Sequence, residues 1–323
     1  MFTVSALLIV SLYITQNQAW SRLFGVQNHA IFEALVLGIV GLLLTASRWA
    51  SIGKLMGLKV PLRFYLKWTF AACFASTFFP RTLEGDSLRT IWLSIPIAGP
   101  SDQEHPKARR WRAASVVRWD RFLALLALLL IGIPTLFTIP SHLLPLLSRT
   151  DRPSTTVVIL IAIAFGGILY AIITASRLGE LWCAAKTQIV KAGLTGMTQP
   201  WRTGLQFSLS IIIHLLTCQA LWLLARGLQL ELGGSEAIDL IVFSGLVALV
   251  PISLNGAGLR ELVFAAYFHF RGWETIDGVL LGVLITGVQT LISMSGSLHF
   301  FQIMNSFRLS VPARRSPDES SSR

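Results

Sequence analysis

Apolar runs of near membrane-crossing length alternate along the chain with short basic or polar stretches. Crossing the hydrocarbon core of a bilayer takes about 20 apolar residues in a helix. Residues 29–47, 122–140, 154–175, 205–225 and 276–301 approach or exceed that length and are predicted as spans. The first run, residues 2–14, is short for a span and reads as a tilted or partial helix. Between 177 and 204 the residues Leu178, Leu181, Trp182, Ala185 and Ile189 recur at helical spacing, the pattern of an amphipathic helix. The end of the chain, 309–323, is polar and Ser-rich and is expected to be disordered.

Two further apolar stretches are broken in the middle. In one, PISLNGAGLRE (Pro251 to Glu261) separates AIDLIVFSGLVALV from LVFAAYFHF. Pro lacks a backbone donor and Gly tolerates unusual torsions, so a helix breaks there. In the other, FPRTLEGDSLR (79–89) separates WTFAACFASTFF from TIWLSIPIAG. The two share a skeleton: Pro80, Gly85, Leu88 and Arg89 recur as Pro251, Gly256, Leu259 and Arg260, each 171 residues later. Corresponding broken apolar segments in two halves of a chain point to a repeat transporter with its site at the breaks.

Composition agrees with a membrane protein. The chain is 53% hydrophobic and 13% charged, where soluble domains carry about 25% charged residues. The net charge of +11 would suggest nucleic acid in a soluble protein; here it reads as topology, and no nucleic-acid partner is expected. Both stretches flanking the first broken segment, 48–67 and 100–121, are strongly basic. A crossing segment would put them on opposite sides, against the tendency of basic loops to stay in the cytoplasm. If 68–99 is re-entrant, the threading puts 19 Lys and Arg inside, 5 outside and 3 (Arg81, Arg89, Arg260) in the broken segments. The expected fold class is then an all-α integral membrane protein of about six spans and two re-entrant hairpins. Its halves, about 1–140 and 154–301, become inverted copies within one domain, 1–308, and both termini are cytoplasmic. Trp49, Trp111, Trp119, Trp182 and Trp201 fall at the inner interface in this threading, and Trp20, Trp222 and Trp273 at the outer one.

With the motifs in hand, the chain resembles the transmembrane region of bacterial lysylphosphatidylglycerol synthases and their stand-alone flippase-like relatives. VPISLNGAGLRE is similar to that family's P-x-x-x-G-G-x-G-x-x-E stretch, with Asn255 where Gly is frequent. FPRTLEGDSLR is similar to its earlier LP-G-x-x-G-D-x-x-R stretch, with Arg81 or Thr82 in place of the Gly after the first Pro. The resemblance implies lipid translocation, or an accessory role in lipid or lipid-linked glycan metabolism beside a lipid-modifying enzyme. It also implies a bacterial inner membrane.

Arginine matches a phosphate with two parallel bonds and stays charged when desolvated. Arg89 and Arg260 are therefore the candidate substrate-binding pair. Asp86, Glu84 and Glu261 are expected to pair with them when no lipid is bound, and Asn255 and Ser253 to supply neutral hydrogen bonds. Pro80, Gly85, Pro251, Gly256 and Gly258 are the expected breaks, where backbone amides approach the ligand. The bland alternative is that Asp86–Arg89 and Arg260–Glu261 only staple broken helices. Gly278-x3-Gly282 reads as close helix packing, His214 as a satisfied packing residue, and Cys73, Cys183 and Cys218 as reduced packing thiols. Neither they nor the six histidines have metal-ligand spacing, so no metal or cofactor is expected. No P-loop, HExxH or Ser/His/Asp pattern occurs, so no enzyme activity is expected. A membrane glycosyltransferase is the competing reading, but residues 15–28 contain no Asp or Glu to hold a metal or act as base.

Overall fold

The computed structural model describes residues 10–79, 85–95, 106–134, 196, 198–248 and 256–310. The predicted span 154–175, most of 177–204 and the tail from 311 lie outside the described residues. Among the described residues the structure is helical, without strands. Helices α1 (Asn28–Leu55), α2 (Leu62–Phe78), α3 (Gly85–Leu93) and α4 (Pro106–Ile131) belong to the first half. The second half supplies α5 (Pro200–Gly227), α6 (Gly234–Ala248), α7 (Leu259–Phe270), α8 (Thr275–Met294) and α9 (Ser297–Ser310). Three of these, α1, α5 and α8, are long and apolar enough to cross a membrane. They overlap the predicted spans at 29–47, 205–225 and 276–301. Phe32, Val36, Ile39, Val40 and Leu43 are exposed along one stripe of α1. An apolar stripe that meets no protein suits lipid.

The spacing of 171 residues extends well beyond the motif. Shifting α1 by that amount gives 199–226, one residue from α5; shifting α2 gives 233–249, one residue from α6 at each end. The turns that follow α1 and α5 also match. Each passes through a left-handed residue two positions past the helix, Gly57 at φ 79° and Gln229 at φ 61°. Among the described helices the most extensive contact is between α1 and α5, the pair related by the shared spacing. The packing within the halves corresponds too: α1 on α2 and α2 on α3, as α5 on α6 and α6 on α7.

Two hydrophobic cores draw on different parts of the α1–α5 pair. One gathers the early part of α1, the later part of α5, and α6, α7 and α8, around Leu221, Leu224, Leu240, Phe264 and Leu280. The other gathers the end of α1 with α2, α3, α4 and Phe300 of α9, around Trp49, Ile52, Tyr65, Trp92 and Leu93.

Several expectations change. The basic stretches are largely helical: α1 runs on through Arg48 to Leu55, and α4 begins at Pro106. Lys and Arg favour helix, and their long stems extend an apolar helix past its core. Arg48 and Arg109 are buried, at 4% and 5% exposure, rather than solvated. Trp49 is fully buried against Tyr65 and Trp68, so it is a core residue and not part of an interfacial belt. The predicted span 276–301 is two helices, because the chain turns at Ser295 and Gly296. A Cβ at Gly296 would lie 1.9 Å from the Phe70 carbonyl oxygen, so the turn sits against the backbone of α2. Helix α9 then continues to Ser310, slightly into the predicted tail. The span starting at 205 begins instead at Pro200, a residue suited to the first turn of a helix.

Candidate functional site

The site is built from the two breaks. In the first half, α2 and α3 flank residues 79–84. Gly85 opens α3 where a side chain would not fit: its Cβ would fall 2.6 Å from the Ala72 carbonyl oxygen and 2.5 Å from Ser76 Oγ. Its amide donates to Ser76 Oγ at 3.1 Å. Asp86 lies in the first turn of α3, where the helix dipole favours an anion. Arg121 of α4 grips that carboxylate with both arms of its guanidinium, the Nε–Oδ2 distance being 2.6 Å. Arg89, one turn further along α3, is 6% exposed. Its Nη1 is 3.8 Å from Asp86 Oδ1, too long for a hydrogen bond. Its guanidinium carbon instead lies 5.2 Å from the centre of the Trp49 ring, a cation–π contact.

In the second half, α6 and α7 flank residues 249–258. Gly256 and Gly258 take φ of 81° and 86°, which only glycine adopts without strain. Gly258 is the residue before α7, and its amide donates to Glu261 Oε2 at 2.6 Å. The other Glu261 oxygen accepts from Thr286 Oγ1 of α8 at 2.6 Å. Arg260 Nη1 donates to the same Thr286 hydroxyl at 3.1 Å. Arg260 is 8% exposed and Glu261 is fully buried. Behind them α7 packs tightly on α8: a Cβ at Gly278 would lie 2.5 Å from the Phe264 carbonyl oxygen, and one at Gly282 2.9 Å from the Glu261 Cα. The Gly278-x3-Gly282 pair is thus close helix packing, as its spacing suggests.

Of the predicted site residues, the structure places Asp86, Arg89, Gly85, Gly256, Gly258, Arg260 and Glu261. Pro80, Glu84, Pro251, Ser253 and Asn255 lie outside the described residues. The matched positions Leu88 and Leu259 are both buried, as are Arg89 and Arg260. The expected pairing of acids with these arginines is indirect. Asp86 is engaged mainly by Arg121, and Glu261 caps α7 and reaches Arg260 through Thr286. The physical reason is position: Glu261 at the third residue of α7 faces the unpaired amide of its own helix start. Each segment packs chiefly within its own half, α3 on α2 and α4, α7 on α6 and α8.

Sequence reading missed a polar layer between the two cores. Arg48 of α1 donates from Nε to Asp120 Oδ1 at 2.8 Å and from Nη1 to Ser210 Oγ of α5 at 2.7 Å. Gln206 Nε2 donates to Ser51 Oγ at 3.2 Å. His214 Nε2 lies 3.0 Å from the Ala124 carbonyl oxygen, a satisfied histidine as expected. An acid inside α4 at Asp120, amid otherwise basic and apolar residues, was the available signal. Cys73 and Cys218 are free thiols; Cys183 lies outside the described residues. Among the described residues no group of His, Cys, Asp and Glu is placed to hold a metal.

A cleft of about 240 Å³ opens between α2, the end of α3 and α9, lined by Phe64, Lys67, Trp68, Trp92, Ile95 and Ile303 among others. It is apolar with a cation at its rim, a combination that suits a lipid. The family model described as the lysylphosphatidylglycerol synthase TM region matches residues 2–296. A search of curated proteins finds no match.

Proposed function

Since the chain belongs to the lysylphosphatidylglycerol synthase transmembrane-region family, we propose that it is a lipid flippase or transporter rather than an enzyme. It moves a phosphate-bearing lipid, whose head group also carries a cation such as an amine, across a bacterial inner membrane. Family membership fits a membrane protein with a lipid-related role. The observation that carries the finer reading is the matched pair of breaks, each followed by a short helix with one buried arginine at the last of the four matched positions, Arg89 and Arg260.

The short helices support the re-entrant arrangement. Nine residues of α3 rise about 14 Å and twelve of α7 about 18 Å, against a hydrocarbon core of about 30 Å. Neither crosses alone. With α2 and α6 as outgoing limbs, each pair makes a hairpin that enters and leaves on one side. The halves are then inverted, with both termini cytoplasmic and the hairpins entering from opposite faces. Broken backbone at that depth is tolerated where protein or a water-filled cavity covers it. Arg89 and Arg260 receive the phosphate in turn from the two sides.

The test is a head-group accessibility assay in proteoliposomes with a panel of lipids. Protein-dependent movement of amine-bearing phospholipids, lost in Arg89→Ala and Arg260→Ala, supports the reading. A glycosyltransferase would instead release or transfer sugar from a lipid-linked donor without moving phospholipid.

A further inference from the structure

Around Arg89 the first half buries hydrogen-bonding atoms that have no partner among the described residues. Trp49 Nε1, Tyr65 Oη, Thr69 Oγ1 and Arg89 Nε are all buried without one. Trp49, Tyr65 and Thr69 are fully buried and Arg89 nearly so. Orphaned buried groups are rare in folded proteins, and each calls for an unseen partner. Here they come from three helices that meet at one place. The Trp49 and Tyr65 rings touch edge to face at 4.9 Å. Arg89 lies over the same Trp49 ring. Thr69 is one turn beyond Tyr65 on α2 and one turn before the stretch that receives Gly85 of α3.

The chemistry of the four atoms is one-sided. An indole N–H and a guanidinium N–H donate only, and both hydroxyls are free to donate. The nearby carboxylates spend their hydrogen bonds elsewhere, Asp86 on Arg121 and Asp120 on Arg48, and Asp86 meets Arg89 only at 3.8 Å. The tyrosine's place is also made room for. A Cβ at Gly53, one turn after Trp49, would fall 1.9 Å from Tyr65 Oη. A single water accepts two of these donors and leaves the other two unanswered; an oxyanion with several oxygens can take all four.

We propose that Trp49, Tyr65, Thr69 and Arg89 form a binding pocket for a tetrahedral oxyanion, a phosphate. It deepens the transport reading and rests on it for the source of that phosphate, a phospholipid head group. The apolar cleft gives the approach: its wall residue Trp68 lies 6.1 Å, centre to centre, from both Trp49 and Tyr65. Lys67 at the rim meets the anion first.

The full chain is purified and titrated with phosphatidylglycerol, with a galactolipid of the same acyl chains, and with inorganic phosphate, binding being read by native mass spectrometry and by thermal unfolding. Phosphatidylglycerol binds and the galactolipid does not. Tyr65→Phe and Thr69→Val, which keep shape and remove one donor, each weaken phosphatidylglycerol about tenfold. Without phosphate, both variants melt no lower than the wild type, because an orphaned hydroxyl is gone. Binding of phosphatidylglycerol but not inorganic phosphate assigns a lipid site; binding of both assigns a site for the ion itself. If the galactolipid binds equally, or if neither variant changes phosphatidylglycerol affinity, the pocket is refuted. Tyr65-dependent binding in a protein that moves no lipid keeps the pocket and removes the transport reading. Lipid movement with Tyr65-independent binding does the reverse.

Discussion

The two broken segments use the same skeleton and hold their arginines in opposite ways. Around Arg260 the polar groups close on one another. Glu261 satisfies the start of α7 with one oxygen and Thr286 with the other, and Thr286 in turn receives Arg260. Around Arg89 the circuit is open. Among the described residues, Asp86 is taken by Arg121, the nearest carboxylate contact is 3.8 Å, and the Nε has no partner. One sequence pattern thus specifies where a helix breaks and where an arginine is buried, while the neighbours decide whether that arginine is satisfied. The side chain of Asp86 is 34% exposed and Glu261 is fully buried, so the first segment is the more easily opened to a ligand.

That contrast is broken or sharpened by substitutions. The largest effect is expected on transport. Arg89→Ala and Arg260→Ala each lose charge-assisted bonds to the head group, about 1.5–3 kcal/mol, or roughly 10- to 100-fold in rate. They separate in stability: Arg260→Ala strips Thr286 of a partner and melts lower, whereas Arg89→Ala melts close to wild type. Equal melting temperatures would erase the contrast.

Next comes Glu261→Ala. It leaves the Gly258 amide and the Thr286 hydroxyl without their acceptor inside the fold, at a cost of about 3 kcal/mol in stability. Asp86→Ala, part-exposed, costs under about 1 kcal/mol. Thermal or denaturant unfolding in detergent compares the two. A smaller effect is expected on selectivity. Asp86→Asn shifts head-group preference toward purely anionic lipids, and Glu261→Gln does not, because its carboxylate is spent on helix capping. Equal shifts from both would mean that Glu261 also faces the lipid. Finally, if the segment between them is a re-entrant hairpin, cysteines placed at the exposed Lys59 and Arg110 label from the same face of the membrane. Labelling from opposite faces removes the inverted arrangement.

The breaks were legible in the sequence because Pro and Arg are sparse in apolar runs, so a Pro, a Gly and an Arg at one shared spacing stand out. The shared spacing was visible there at four positions, and with it the bounds of α1 and α2 fall within one residue of those of α5 and α6. The polar layer was not legible. Arg48 ends an apolar run next to Trp49, the same local pattern as an interfacial flank; its partners Asp120 and Ser210 lie 72 and 162 residues away. Trp49 was misplaced for the same reason, since local pattern does not tell a membrane-edge tryptophan from one beneath an arginine. The role of Glu261 depended on Thr286 of the next helix and on the conformation of Gly258, neither of which a motif states.

The central claim is that the paired breaks move a phosphate-bearing lipid. The most direct measurement is the rate at which a labelled, amine-bearing phospholipid exchanges between leaflets of proteoliposomes carrying the wild type, Arg89→Ala or no protein. Clear acceleration is expected for the wild type, and a rate near that of empty vesicles for the folded variant. Equal acceleration by both, or none by the wild type with any lipid of the panel, would contradict it.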